Sequence, residues 1–177
     1  MNNRLFFFPG HGRYVLFTAA ALEHMYRHAQ RRIWDKEAGG EIYAIDPDAN
    51  GLIVTSALGP NRGDRRTRCS FNPDIEAAKR DRERQFAVGL HAVGLWHTHP
   101  EPHPSPSGQD RQTTEEYLSA FQGDRERYLM VIVGNFGKPP NMKVCAISQN
   151  TRTKWVELVE ESTSSVPTHD HGNNTWS

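Results

Sequence analysis

Leu22, Met25, Tyr26, Ala29 and Ile33 recur at three- and four-residue intervals, the spacing that lines one face of a helix. Thr18 offers an N-cap and Gly39-Gly40 a stop, so the pattern predicts a helix over 18–34. Compact apolar runs predict strands at 92–96, 128–133 and 142–147. A short run at 4–8 reads as an edge strand, and 69–71 and 155–159 as minor strands. The runs at 42–45 and 52–58 flank Asp46-Pro47-Asp48-Ala49-Asn50-Gly51, a turn-rich tip, and predict a hairpin. Two further helices are expected. One is charged and begins with Pro73 in its first turn, ending near 89. The other opens at Ser107 and ends near 121. The layout is mixed α/β, with helices packed around one sheet of about six strands.

A length of 177 residues suits one domain. Residues 1–161 are read as that domain, and 162–177, polar with Pro, Gly and Asn, as a disordered tail. Twenty-one basic residues balance 21 acidic ones, which argues against nucleic acid or an anionic membrane as partner. The local basic stretch Arg62-Gly63-Asp64-Arg65-Arg66-Thr67-Arg68 is read as a mobile loop, ahead of a dock for an acidic partner. Leu5-Phe6-Phe7-Phe8 is too short for a secretory signal, and no run approaches the ~18 apolar residues that span a bilayer. Cys69 and Cys145 are too few for a disulfide framework. They read as small buried or half-buried hydrophobes in a cytoplasmic protein.

The chemistry concentrates in one stretch. His97 and His99 stand two apart at the end of a predicted strand, so both imidazoles face the same way and Thr98 points away as a spacer. Pro100, Pro102, Pro104 and Pro106 stop the strand and stiffen the loop. Ser107 and Asp110, three apart at a helix start, share a face. Two histidines and one carboxylate make three protein ligands, the number typical of catalytic zinc, whereas structural sites close four. Zinc lowers the pKa of a bound water toward ~7. A general base is also required, and the glycine-rich segment 37–44 offers Glu37 and Glu41, between which spacing does not choose. His103 is read as exposed or as a substrate contact, Trp96 as core, and the charged helix 74–85 as a solvated face. His169 and His171 belong to the polar tail.

Glu37-Ala38-Gly39-Gly40, His97-Thr98-His99-Pro100 and Ser107-Gly108-Gln109-Asp110 together resemble the motif of the JAMM, or MPN-plus, metalloproteases, also called JAB domains. The resemblance runs over about 18–159 and implies a curved mixed sheet with helices on both sides, the cytidine-deaminase-like fold. It implies that His97, His99 and Asp110 bind one zinc ion. It selects Glu37 as the base that holds the attacking water, with Glu41 where the family commonly has an apolar residue. It makes Ser107 the donor to the oxyanion. The compact chain looks most like bacterial JAB proteins encoded with ubiquitin-activating-like and ubiquitin-conjugating-like enzymes in anti-phage or mobile-element operons. The implied activity is a zinc isopeptidase that cuts after the C-terminus of a ubiquitin-like or other conjugated protein. Alternatives are a JAB hydrolase of small peptides or sulfur-carrier proteins and a non-catalytic MPN interaction module.

Overall fold

A computed structural model describes residues 1–10, 12–121, 125–148 and 155–161. The chain begins with β1 (Arg4–Phe7), β2 (Tyr14–Phe17), α1 (Ala19–Tyr26), β3 (Gly39–Ala44) and β4 (Gly51–Ala57). A small hairpin of β5 (Arg65–Arg66) and β6 (Phe71–Asn72) precedes α2 (Ile75–Ala87) and β7 (His91–Thr98). Then come α3 (Gly108–Ala120), β8 (Arg127–Val133), β9 (Met142–Ser148), β10 (Trp155–Glu157) and β11 (Val159–Glu160). Nine strands form one mixed sheet in the order β10-β9-β8-β7-β3-β4-β2-β1-β11. Only the β2–β4 and β7–β8 pairs are parallel.

Strand periodicity explains why helices cover both faces. On β8, Leu129, Val131 and Val133 join the large core that α1 covers with Ala21, Leu22 and Met25. The alternate residues Tyr128, Met130 and Ile132 face the other way. There they form two smaller clusters with Leu118 of α3, Cys145 and Ile147, with Tyr117 and Trp155 packed alongside. Every residue of β8 is buried, as a strand covered on both faces requires.

The sheet's nine strands exceed the six or so expected, and two of the additional ones have a clear origin. β2 has only four residues and goes unread, although Val15 and Phe17 are fully buried. The run at 155–159 divides between two strands. β10 pairs with β9 and β11 with β1, so one short segment touches both outer edges and nearly closes the sheet. Leu158, buried between them, anchors the crossing.

The helix expected over 18–34 stops at Tyr26, with Arg27 as its C-cap. Side chains compete with the helical ladder beyond that point. Asp35 accepts the Arg32 N–H at 2.8 Å, and buried Gln30 donates to the carbonyls of Arg68 and Asp35. Ile33 and Trp34 are consequently exposed. Pro73 lies outside α2, whose N-cap is Asp74. Nor is α2 only a solvated face, since Asp81 is buried and Arg82 reaches Glu41. Cys145 is buried but Cys69 is exposed, because β6 begins only at Phe71. The stretch at 162–177, with His169 and His171, lies outside the described residues. Among the described residues no helix is long and apolar enough to cross a membrane.

Candidate active site

β7 ends at Thr98, and the His99 N–H continues its course by bonding the Val133 carbonyl at 2.9 Å. That extended path puts both imidazoles on one face, with their Nε2 atoms 3.0 Å apart. Asp110 approaches from α3. Its Oδ1 lies 3.3 Å from His97 Nε2 and its Oδ2 3.5 Å from His99 Nε2. Atoms held tetrahedrally at 2.0–2.1 Å from zinc stand about 3.3 Å from one another, so the three side chains fit one ion.

The Ser-x-x-Asp spacing has a local cause. Ser107 is the N-cap of α3, and its hydroxyl accepts the Asp110 N–H at 3.2 Å. The Asp110 carboxylate accepts the Ser107 N–H at 2.7 Å. This capping box fixes the carboxylate before any ion arrives. Burial pushes the Asp110 carboxyl upward, but hydrogen bonds and charge from His97, joined by Ser107, outweigh it. The group stays well below the usual carboxylate range. Burial, with the charge of His97 adding to it, lowers His99 below its ordinary value.

Glu37 precedes β3 and is held by its backbone. Its N–H donates to Thr67 O at 2.7 Å, and its carbonyl accepts from Arg66 Nε at 2.5 Å. Arg68 Nη1 donates to Arg32 O and Ile33 O, both at 2.9 Å. The basic stretch expected to be a mobile loop is therefore part of a hairpin whose arginines clamp the chain ahead of Glu37. Local carbonyls, rather than a partner's carboxylates, absorb Arg66 and Arg68. The Glu37 carboxylate comes within 4.8 Å of both histidines. Two carboxylates thus lie close to the histidine pair, and Asp110 is the nearer. Burial pushes Glu37 up to about 7, with His97 opposing and Asp110 adding to the shift.

Glu41 has a different environment. Its carboxylate is bound by Arg82 and accepts the Tyr43 hydroxyl at 2.7 Å. His103 is exposed, and Trp96 is buried with its indole N–H on Leu58 O at 2.8 Å. Thr98 is not a spacer. Its side chain is fully buried and hydrogen-bonded to Ala38 and Gln30. A buried hydroxyl needs partners, and a threonine facing the core between two histidines was the signal for them.

A groove of about 600 Å³ runs from His97 and Asp110 across Gly39 and Gly40 toward Tyr117. The loop 59–64 supplies one wall. α3 supplies another, with Gln109, Thr113, Glu116 and Tyr117. The floor demands glycine, because a Cβ on Gly40 would lie 2.0 Å from Leu58 O. Gly59, at φ +86°, takes a left-handed turn against Gly39 O.

A family model described as prokaryotic homologs of the JAB domain matches residues 18–150. A "CD-NTase/cGAS isopeptidase" of Pseudomonas aeruginosa is 34% identical over 121 residues, which cover 67% of this chain and 75% of that protein. A "probable metalloprotease y4qB" of Sinorhizobium fredii is 30% identical over 162 residues, covering 88% and 96%. The solution structure of protein DSY2949 from Desulfitobacterium hafniense superposes with TM-score 0.56 at 19% identity. It covers 82% of this chain and 88% of that one, and shows the likeness of fold.

Proposed function

This chain belongs to the prokaryotic JAB-domain family, and from that premise we propose that it is a zinc isopeptidase acting on a conjugated protein. The observation that carries the reading is the convergence of His97 Nε2, His99 Nε2 and the Asp110 carboxylate within 3.0–3.5 Å, with Glu37 beside them. The three are the proposed zinc ligands. Zinc, when bound, supplies an acidified water and polarises a carbonyl. Glu37 takes the proton of the attacking water and delivers it to the leaving amine, a role suited to a carboxyl poised near neutrality. Ser107 lies exposed at the start of α3 and donates its hydroxyl proton to the oxyanion. Its hydrogen bond from Asp110 N uses a lone pair, so its proton remains a donor, shared in the free protein with the Asp110 carboxylate.

The relative named an isopeptidase favours an amide between a carrier's C-terminus and an amine of a second protein. A ubiquitin-like carrier is the substrate class we assign, with activating-like and conjugating-like enzymes as its biochemical context and the cytoplasm as the compartment. The groove over Gly39 and Gly40 leads to the three side chains, and an extended tail is the substrate shape we assign to it. The test measures zinc per chain, then cleavage of a ubiquitin-like protein joined through its C-terminal glycine to a reporter lysine. The reading expects one zinc per chain and release of the reporter. A chain that takes up no zinc on reconstitution contradicts it.

A further inference from the structure

We propose that Thr98 and Gln30 are positioning residues that peel Glu37 away from the sheet and aim it at the metal site. The inference rests on the proposed role of Glu37. In an antiparallel hydrogen-bonded pair, two facing residues exchange both backbone N–H···O=C bonds. β3 and β7 run antiparallel with Gly39 facing His97, so the next pair outward is Ala38 and Thr98. Only half of the backbone exchange is made there. Thr98 N donates to Ala38 O at 2.8 Å, but Ala38 N donates to the Thr98 hydroxyl, at 3.0 Å, instead of to the carbonyl. The ladder ends on a side chain, and the residue just beyond it is Glu37.

The hydroxyl is held in turn. It accepts from Ala38 N and therefore gives its single proton to Gln30 Oε1, at 3.1 Å. Gln30 Nε2 donates to Arg68 O at 2.7 Å and Asp35 O at 3.3 Å, which fixes the orientation of the amide. Both side chains are fully buried. One relay thus joins the segment after α1, the loop before Glu37, the basic hairpin and the residue between the two histidines. Neither side chain touches a reacting atom. Each acts by deciding where the Glu37 backbone leaves the sheet.

Thr98→Val keeps the shape and removes the hydroxyl. Thr98→Ser restores the hydroxyl without the methyl, and Gln30→Leu breaks the far end. Two readouts are taken together: hydrogen exchange of the Ala38 amide by NMR, and turnover of zinc-loaded protein on the ubiquitin-like reporter conjugate. The relay predicts that Thr98→Val speeds Ala38 exchange at least tenfold. It should also lower kcat at least tenfold, with KM and zinc affinity within about threefold of wild type, because the ligands stay in place. Thr98→Ser should recover most of both, and Thr98→Val with Gln30→Leu should be no worse than either alone. Unchanged Ala38 exchange, or unchanged kcat, in Thr98→Val overturns the proposal. So does a variant that loses zinc in proportion to activity. If wild-type protein with full zinc cleaves no conjugate, the proposed function fails instead. Ala38 exchange then still decides the relay: fast exchange in Thr98→Val supports it and wild-type exchange overturns it.

Discussion

Glu37, just ahead of β3, and Glu41, within it, lie four residues apart, and both are more than nine-tenths buried. Glu41 has what a buried charge needs, with Arg82 bound to both its oxygens and a tyrosine hydroxyl on one of them. Glu37 is anchored through its backbone, by Arg66 among others, and among the described residues no cationic side chain forms an ion pair with its carboxylate. Burial displaces its carboxyl to about 7, and the charges that act on it are those of His97 and Asp110. The difference separates structure from chemistry. A paired carboxylate holds elements together, whereas an unpaired one in a cleft beside potential metal ligands is available to move a proton. Asp110 stands between these extremes, locked by its capping box yet facing both imidazoles.

The largest effect should come from removing what Glu37 works beside. His97→Ala or Asp110→Ala should abolish stoichiometric zinc, read by atomic emission, and reduce turnover by at least ~10³. The Glu41 side of the contrast is a matter of stability. Glu41→Gln leaves a guanidinium without its anion and should cost about 2–4 kcal/mol in urea unfolding, less than a fully buried pair because Arg82 is partly exposed. Per folded molecule, zinc content and turnover should stay near wild type. A Glu41→Gln protein that is stable and inactive would reverse the assignment.

The comparison was only partly legible in the sequence. The convergence of His97, His99, Ser107 and Asp110 was readable because strand and helix periodicities are local, and the capping box makes Ser-x-x-Asp a helix start as well as the spacing of a proposed ligand. Glu37 and Glu41 were not separable on spacing. What separates them is Arg82, which lies 41 residues on in a helix read as merely solvated. Helix 18–34 failed because Gln30 and Asp35 hydrogen-bond locally and across to the hairpin, contacts that apolar periodicity does not carry. Splitting 155–159 between two sheet edges depends on closure of the whole sheet, a long-range outcome.

Smaller effects sharpen the contrast further. Ser107→Ala should lower kcat by about 10- to 100-fold, with zinc retained and stability reduced by about 1 kcal/mol for the lost cap. In the metal-free protein, the raised Glu37 pKa means that folding favours its protonated form. Its contribution to stability is present below about 4.5 and lost as pH rises through about 7. Between pH 5 and 8, metal-free wild type should therefore lose about 1–2 kcal/mol relative to Glu37→Gln in parallel denaturant titrations.

The central claim, that Glu37 moves the proton while Glu41 holds the fold, is tested most directly by one assay. Zinc-loaded wild type, Glu37→Gln and Glu41→Gln are compared on a ubiquitin-like reporter conjugate, with zinc per folded chain measured on the same samples. The account predicts one zinc in all three, turnover reduced ~10²- to 10⁴-fold in Glu37→Gln, and turnover within a few-fold of wild type in Glu41→Gln. Full activity in Glu37→Gln, or its loss only in Glu41→Gln, would contradict it.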